Sequence, residues 1–432
     1  MNRTQKGYLI FLFLLSPFLG VIELFKIKHE KTLIGFGTLF FGLVGSVFVY
    51  VKGTDGYSHL MNAKLEYLNM SFSDFLKQSY NILTFTANEG AADMYIHTLS
   101  YLSASVLQIP ELIHVFAGFI LGYFFTKSVL LVLKGNLRTK KDFILIGFII
   151  LFMFIKSIEA LNSVRMWTGM WLMFYGSYGW TVYKKKTYLY IILFSILVHI
   201  SYVIVLFPII VSFLFKNFKK TIIIFYIFSF FNTLSFSFIE PVLPKSDLFE
   251  SKQNVYAIDK DDKVMRFEEM RANYKSQLNQ SNFYKAFGPS IYTNYSIVFL
   301  SFLLSFFYLK ETTDNNFKFL IATGIVMFAL SNLINFVPEL QSRLKIIAST
   351  FILAAAIYLQ LTIKDYYLTT KNKRFMKFGF VLFLISSIPM FLFQVSDIMF
   401  NISFFLLLFP QISWFLGDND FSIRQAIGFL ID

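Results

Sequence analysis

The sequence predicts an all-α fold: a polytopic transmembrane helical bundle of about 11 spans plus one re-entrant helical hairpin, a single domain over residues 1–432. Three observations predict it. The chain is 56% hydrophobic and carries 57 Phe, more apolar surface than a soluble domain of 432 residues buries. Its apolar runs repeatedly reach the roughly 20 residues that cross a hydrocarbon core as a helix. Its Lys residues gather in short connectors between those runs, as in cytoplasmic loops. Topology thereby accounts for the net charge of +13, so the expected partner is a lipid bilayer and not nucleic acid. The absence of Cys removes disulfides and thiolate chemistry together. No small-residue cleavage site follows the first apolar run, which reads as a span.

The expected spans are 7–25, 33–51, 111–133, 142–161, 163–183, 221–239, 291–309, 317–336, 344–363, 376–396 and 398–416, the last interrupted by Pro410. Basic connectors at 26–31, 134–141, 184–186, 216–220 and 364–377 all become cytoplasmic if the N-terminus starts outside. Arg3 and Lys6 oppose that orientation and are outnumbered. The loops 52–110 and 240–290 then face out; in the second, basic and acidic residues nearly balance. Residues 187–215 lie between two Lys clusters that both belong inside. Twenty-nine residues are too few for two crossings but enough for two half-length helices, Tyr188 to Val198 and Tyr202 to Phe215, with His199 and Ser201 at the tip. The alternative is one long tilted helix. Helical spacing of apolar residues also predicts amphipathic helices over 94–109 and 262–278.

Arg is scarce, 8 residues against 31 Lys, so an Arg that topology does not explain points to its planar charged fork. Arg165 and Arg343 each sit at the outer end of an expected span, where charge is expensive and marks function by default. Two guanidinium groups can hold a diphosphate through bidentate, charge-assisted bonds. Otherwise each snorkels to headgroups or pairs with Glu159 or Glu339. Lys52-Gly53-Thr54-Asp55-Gly56-Tyr57 follows the second span, and its glycines permit a tight turn that aims Asp55 back at the membrane. Asn88-Glu89-Gly90 lies later in the same loop. His199 is the His inside the apolar hairpin, with a pKa range suited to proton transfer; packing alone is the competing explanation. His59, His97 and His114 lack a metal-site spacing, and no nucleotide-binding fingerprint is present. No metal or cofactor is expected, and the energy for a reaction must arrive with the substrate.

The order of these pieces resembles the EpsG family of membrane proteins, related in role to Wzy-type O-antigen and exopolysaccharide polymerases. Gly53-Thr54-Asp55 with Tyr57, Asn88-Glu89-Gly90, Asn162 with Arg165, His199-Ile200-Ser201 and Arg343 carry the likeness. Lys52 stands where the family has Arg, and no Pro precedes Gly90. The resemblance implies a glycosyltransferase joining undecaprenyl-diphosphate-linked oligosaccharide repeat units at the outer (periplasmic or extracellular) face of the bacterial inner membrane. It implies His199 and Asp55 as catalytic, and Arg165, Arg343, Lys52, Tyr57, Asn162 and Glu89 as substrate-binding. A chain-length regulator and a flippase are the implied partners. A transporter of lipid-linked glycan and a ligase-like transferase remain the alternatives. A transporter should carry its polar groups at mid-membrane, whereas these gather near one face.

Overall fold

Residues 3–27, 29–84, 86, 93–133, 142–231, 282–309, 314–335, 337–362, 370–416 and 421–431 are described by a computed structural model. Glu89, the amphipathic segment expected over 262–278, most of the loop 240–290 and the connector 134–141 lie outside the described residues. Among the described residues the regular elements are helices, with isolated bridges pairing Phe48 with Ile402 and Ser403 with Ser422. Among them, six helical segments are long and apolar enough to cross a membrane: Leu112–Leu133, Phe143–Leu161, Phe287–Tyr308, Asn315–Leu333, Pro338–Thr362 and Arg374–Asn401. Large apolar side chains such as Phe11, Phe143, Leu214, Ile224 and Phe378 point outward. That is the arrangement expected where lipid replaces water as solvent.

In chain order the first elements are α1 (Arg3–Leu15), α2 (Pro17–Leu24), α3 (Glu30–Ser46), α4 (Asp55–Asn62), α5 (Phe72–Leu83), α6 (Met94–Ser100), α7 (Leu112–Leu133) and α8 (Phe143–Phe154). Next come α9 (Val164–Tyr183), α10 (Thr187–Val198), α11 (Tyr202–Phe215) and α12 (Lys219–Phe228). The chain then runs through α13 (Phe283–Ile291), α14 (Ile297–Tyr308), α15 (Asn315–Leu333), α16 (Pro338–Thr362), α17 (Thr370–Ser386), α18 (Ile388–Asn401), α19 (Pro410–Leu416) and α20 (Ile423–Ile431). The amphipathic stretch expected from 94 is α6, continued by a wider π-helical turn over Tyr101–Val106.

The centre is α9. It is 20 residues long yet is absent from the six most apolar spans, because Gly, Ser, Thr and Tyr lower its hydropathy. It needs no lipid-facing character, since Trp171, Phe174 and Tyr178 are fully buried by protein. Tight packing elsewhere also relies on small residues, as in membrane helix pairs generally. A Cβ on Gly45 of α3 would stand 2.1 Å from the His114 carbonyl of α7, and one on Gly118 of α7 would stand 2.3 Å from the Phe41 carbonyl.

Contacts sort the helix ends into two groups. At the basic end the Tyr183 and Tyr188 rings stack, Tyr308 donates to the Lys216 carbonyl at 2.6 Å, and Lys318 reaches Asn217 at 3.4 Å. Glu30, at the start of α3, lies within electrostatic reach of Tyr183 there. The opposite end holds Asp55, Asp93, Ser157 to Arg165 and His199, together with Phe48 paired to Ile402. Helices α10 and α11 therefore form a hairpin: both open ends lie at the basic end, and residues 199–201 turn beside Asp93.

Three expectations are corrected. The span expected over 7–25 breaks at Ser16, whose extended backbone and side chain cap α2 ahead of Pro17. Because Lys6 of α1 and His29 and Lys31 at the start of α3 line one groove, α2 must fold back, giving a second hairpin. Arg3 and Lys6 then belong with the basic connectors, and the opposing vote disappears. The spans expected over 376–396 and 398–416 are also redrawn. One apolar segment runs from Arg374 to Asn401, bent where Ser387 and Pro389 interrupt the ladder. Residues 402–416 are not a span but a bridge, a short 3₁₀ turn and α19, which opens on Pro410. Finally, α16 starts at Pro338, so Arg343 sits inside its second turn and not ahead of the helix.

Candidate functional site

Each residue of the Gly-Thr-Asp-Gly stretch has a local task. Gly53 takes φ +85°, a left-handed turn that favours glycine. Thr54 caps α4, its hydroxyl accepting from Tyr57 N at 3.5 Å. Asp55 opens the helix, and its carboxylate accepts from Ser163 Oγ at 2.6 Å. Gly56 N donates to Asn162 Oδ1 at 3.1 Å, a close approach in which a Cβ would meet the Phe48 ring at 2.9 Å. Asp55 and Asn162, 107 positions apart in sequence, are thus drawn to one place. Lys52 is exposed, and among the described residues no hydrogen bond ties its ammonium or the Tyr57 hydroxyl to this cluster.

The deeper part of the site is organised by Asp93, which sequence reasoning missed. It occupies the N-cap position of α6 and is 2% exposed. Arg165 Nη1 donates to its Oδ2 at 2.8 Å, and Ile200 N donates to its Oδ1 at 3.1 Å. Both carboxylate oxygens lie 3.3 Å from His199 Nδ1. Burial pushes the Asp93 carboxyl up, but the His199 hydrogen bond and charge, the Arg165 charge and the Ile200 N–H together outweigh it and hold it at about 2. Asp93 therefore stays ionised and acts only as an acceptor. In the neutral imidazole an acceptor at this position favours the Nδ1–H tautomer, which turns Nε2 into the acceptor.

The turn that presents His199 is anchored from below. Tyr202 donates to the Met166 carbonyl at 2.6 Å, and Gly169 leaves room for the Tyr202 ring against α9. Arg343 lies within electrostatic reach of the same Tyr202 hydroxyl. Helices α9 and α16 run side by side in the same sense, with Thr350 3.6 Å from the Met170 sulfur and the Phe174 and Phe351 centroids 5.0 Å apart. Arg165 and Arg343 thus share the end of the bundle that holds His199. Their partners differ: Arg165 is bound to Asp93, whereas Arg343 meets Glu339 at 3.4 Å on a partly exposed surface. Glu159 does not pair with Arg165; it faces Lys156 at 3.8 Å, whose ammonium lies over the Trp167 ring.

His59 is the second residue that sequence reasoning passed over. It follows Asp55 by one helical turn, is 9% exposed, and has a buried Nε2 with no hydrogen-bond partner. Burial lowers its pKa to about 4, the Arg165 charge adds to that shift, and Asp55 and Asp93 oppose it. A neutral imidazole thus faces one guanidinium and two carboxylates.

The chain matches no protein-family model, no curated protein and no solved structure. Among the described residues no group of three or more His, Asp or Glu is arranged to hold a metal ion. What the arrangement can do chemically follows from its parts. It offers an oriented imidazole with a free nitrogen, an adjacent guanidinium with unused donors, and a second guanidinium at the same end. Such a set accepts a proton from a hydroxyl and stabilises negative charge developing beside it.

Proposed function

We propose that the chain is a membrane glycosyltransferase that joins polyprenyl-diphosphate-linked oligosaccharide repeat units, acting at the end of the bundle opposite its basic connectors. The observation that carries this reading is the Arg165–Asp93–His199 chain of charge-assisted bonds at the hairpin turn. The likeness of the Gly53-Thr54-Asp55, Asn162, Arg165, His199-Ile200-Ser201 and Arg343 elements to EpsG-type proteins supports it. With the basic end in the cytoplasm, the site opens to the outer face of a bacterial inner membrane.

In this scheme a sugar hydroxyl of one lipid-linked unit attacks the anomeric carbon of another. The new C–O bond forms as the bond from that carbon to the diphosphate breaks. The hydroxyl proton passes to His199 Nε2, and polyprenyl diphosphate leaves. Asp93 holds the imidazole in the right tautomer and stabilises the imidazolium that forms; general-base help of this kind is worth roughly 10²–10⁴ in rate. Arg165, through the donors not used by Asp93, and Arg343 take up the charge on the leaving diphosphate. Asp55 and His59 lie beside this cluster and are available to orient the attacking hydroxyl. The leaving group supplies the driving force, so the reaction needs no nucleotide.

The test is the polysaccharide made by cells carrying variants of the chain. Arg165→Ala, Arg343→Ala and His199→Gln are each expected to abolish long-chain product while single-repeat product persists. A flippase reading predicts instead that single-repeat product on the outer side is lost as well. Normal chain-length ladders from all three variants would remove the proposed site.

A further inference from the structure

A groove opens at the basic end between α1 and α3, far from the site above. It is lined by Lys6, Ile10, His29, Lys31, Thr32, Gly35, Phe36 and Leu39. Its chemistry is divided. Lys6, His29 and Lys31 are exposed at the rim, with the Thr32 hydroxyl beside them. Among the described residues neither ammonium makes an ion pair. Glu30, the nearest acidic residue in sequence, lies within electrostatic reach of Tyr183 on the end of α9. Below the rim the walls are apolar: Ile10, Phe36 and Leu39.

The floor is made by a missing side chain. Gly37, Gly42 and Gly45 on α3 face α7, where an added Cβ would strike Thr126, Phe119 or the His114 backbone at 2.1 to 2.4 Å. Gly35 differs: a Cβ there meets nothing within 4 Å. Its glycine is not required by packing within the protein, so the space above it is available to something else.

We infer that this groove holds one anionic phospholipid from the leaflet bathing the basic end. Its phosphate sits between Lys6 and Lys31, and an acyl chain runs over Gly35 between Ile10, Phe36 and Leu39. The argument is charge complementarity. Two unpaired ammonium groups at the mouth of an apolar channel fit a molecule that is anionic at one end and hydrocarbon along the rest. Each cation near a lipid surface favours anionic headgroups. A zwitterionic lipid fills the channel equally well but gains less at the rim. A free phosphate gains the rim but leaves the channel unused. A bound lipid also wedges the α1–α2 hairpin against α3.

The test is native mass spectrometry of the full-length protein with added phosphatidylglycerol or phosphatidylethanolamine. The wild type should retain one phosphatidylglycerol at about tenfold lower lipid concentration than phosphatidylethanolamine. Lys6→Gln with Lys31→Gln should erase that preference. Gly35→Leu should abolish retention of this lipid without lowering the lipid-free melting temperature, because the added side chain occupies open space and Leu favours the helix. Equal retention of both lipids by the wild type would overturn the inference, as would unchanged phosphatidylglycerol binding in both variants. Protection by inorganic phosphate alone, or a stronger preference for a polyprenyl phosphate, would overturn the choice of occupant.

Discussion

At the level of single residues, the proposed mechanism turns on Asp93. A carboxylate with one guanidinium, one imidazole and one backbone N–H around it has both oxygens engaged as acceptors. Asp93→Asn replaces an ionised acceptor by an amide that presents donors to Arg165 and His199. It should lower transfer by roughly 10²-fold or more, read as loss of long-chain product at unchanged protein level. His59 gives a separate, pH-dependent signature. Its pKa is depressed to about 4 in the folded protein, so between about pH 6.5 and 4 the unfolded chain binds the extra proton and the fold loses up to about 3 kcal/mol as pH falls. Asp93, depressed to about 2, stabilises fully above about pH 4, and that stabilisation is lost progressively as pH falls from about 4 through about 2. Melting curves of wild type and His59→Gln between pH 7 and 4.5 separate the two: the variant should lose less stability in acid. His97, which burial also depresses, keeps part of the slope. Arg165, Arg343, His199 and Asp55 stood out in the sequence as polar residues beside apolar runs, and Asn162 through the family likeness. Asp93 and His59 did not, because Asp93 sits in an ordinary capping position of a loop helix and His59 within the short polar helix α4. Only tertiary contact distinguishes them.

At the level of elements, the two hairpins and the α3–α7 contact carry the architecture. The turn between α10 and α11 was expected from charge and length together, since both flanking Lys clusters belong on one side and 29 residues are too few for two crossings. The hairpin α1–α2 was not, because its apolar run is long enough to cross and its break rests on Ser16 and Pro17 alone. A proline in the first turn of a helix is compatible with a continuous apolar run, so the pattern gave no warning. The same blindness affected 398–416, where Pro410 starts a short helix after a bridge. Glycine roles are likewise invisible until neighbours are known. Gly45→Val places side-chain atoms against the His114 carbonyl and should destabilise by about 3 kcal/mol in detergent melts. An equal melting temperature for Gly45→Val and wild type would show that α3 and α7 are not in that register.

At the level of the whole molecule, the described helix ends sort into a basic group and a group that holds the candidate site. The corrected topology makes a sharp prediction. The chain has no Cys, so single substitutions report sidedness without background. Lys6→Cys, Lys31→Cys and Lys184→Cys should all react with a membrane-impermeant maleimide only from the cytoplasmic side, and Lys52→Cys only from outside. A continuous first span would put positions 6 and 31 on opposite sides.

The most direct test is to reconstitute the purified protein in liposomes with a lipid-linked repeat unit and no nucleotide. The account predicts a ladder of lengthening glycans from the wild type and none from Arg165→Ala or Asp93→Asn. A ladder of equal yield from either variant would contradict it, as would a wild type that only moves the lipid-linked unit across the bilayer.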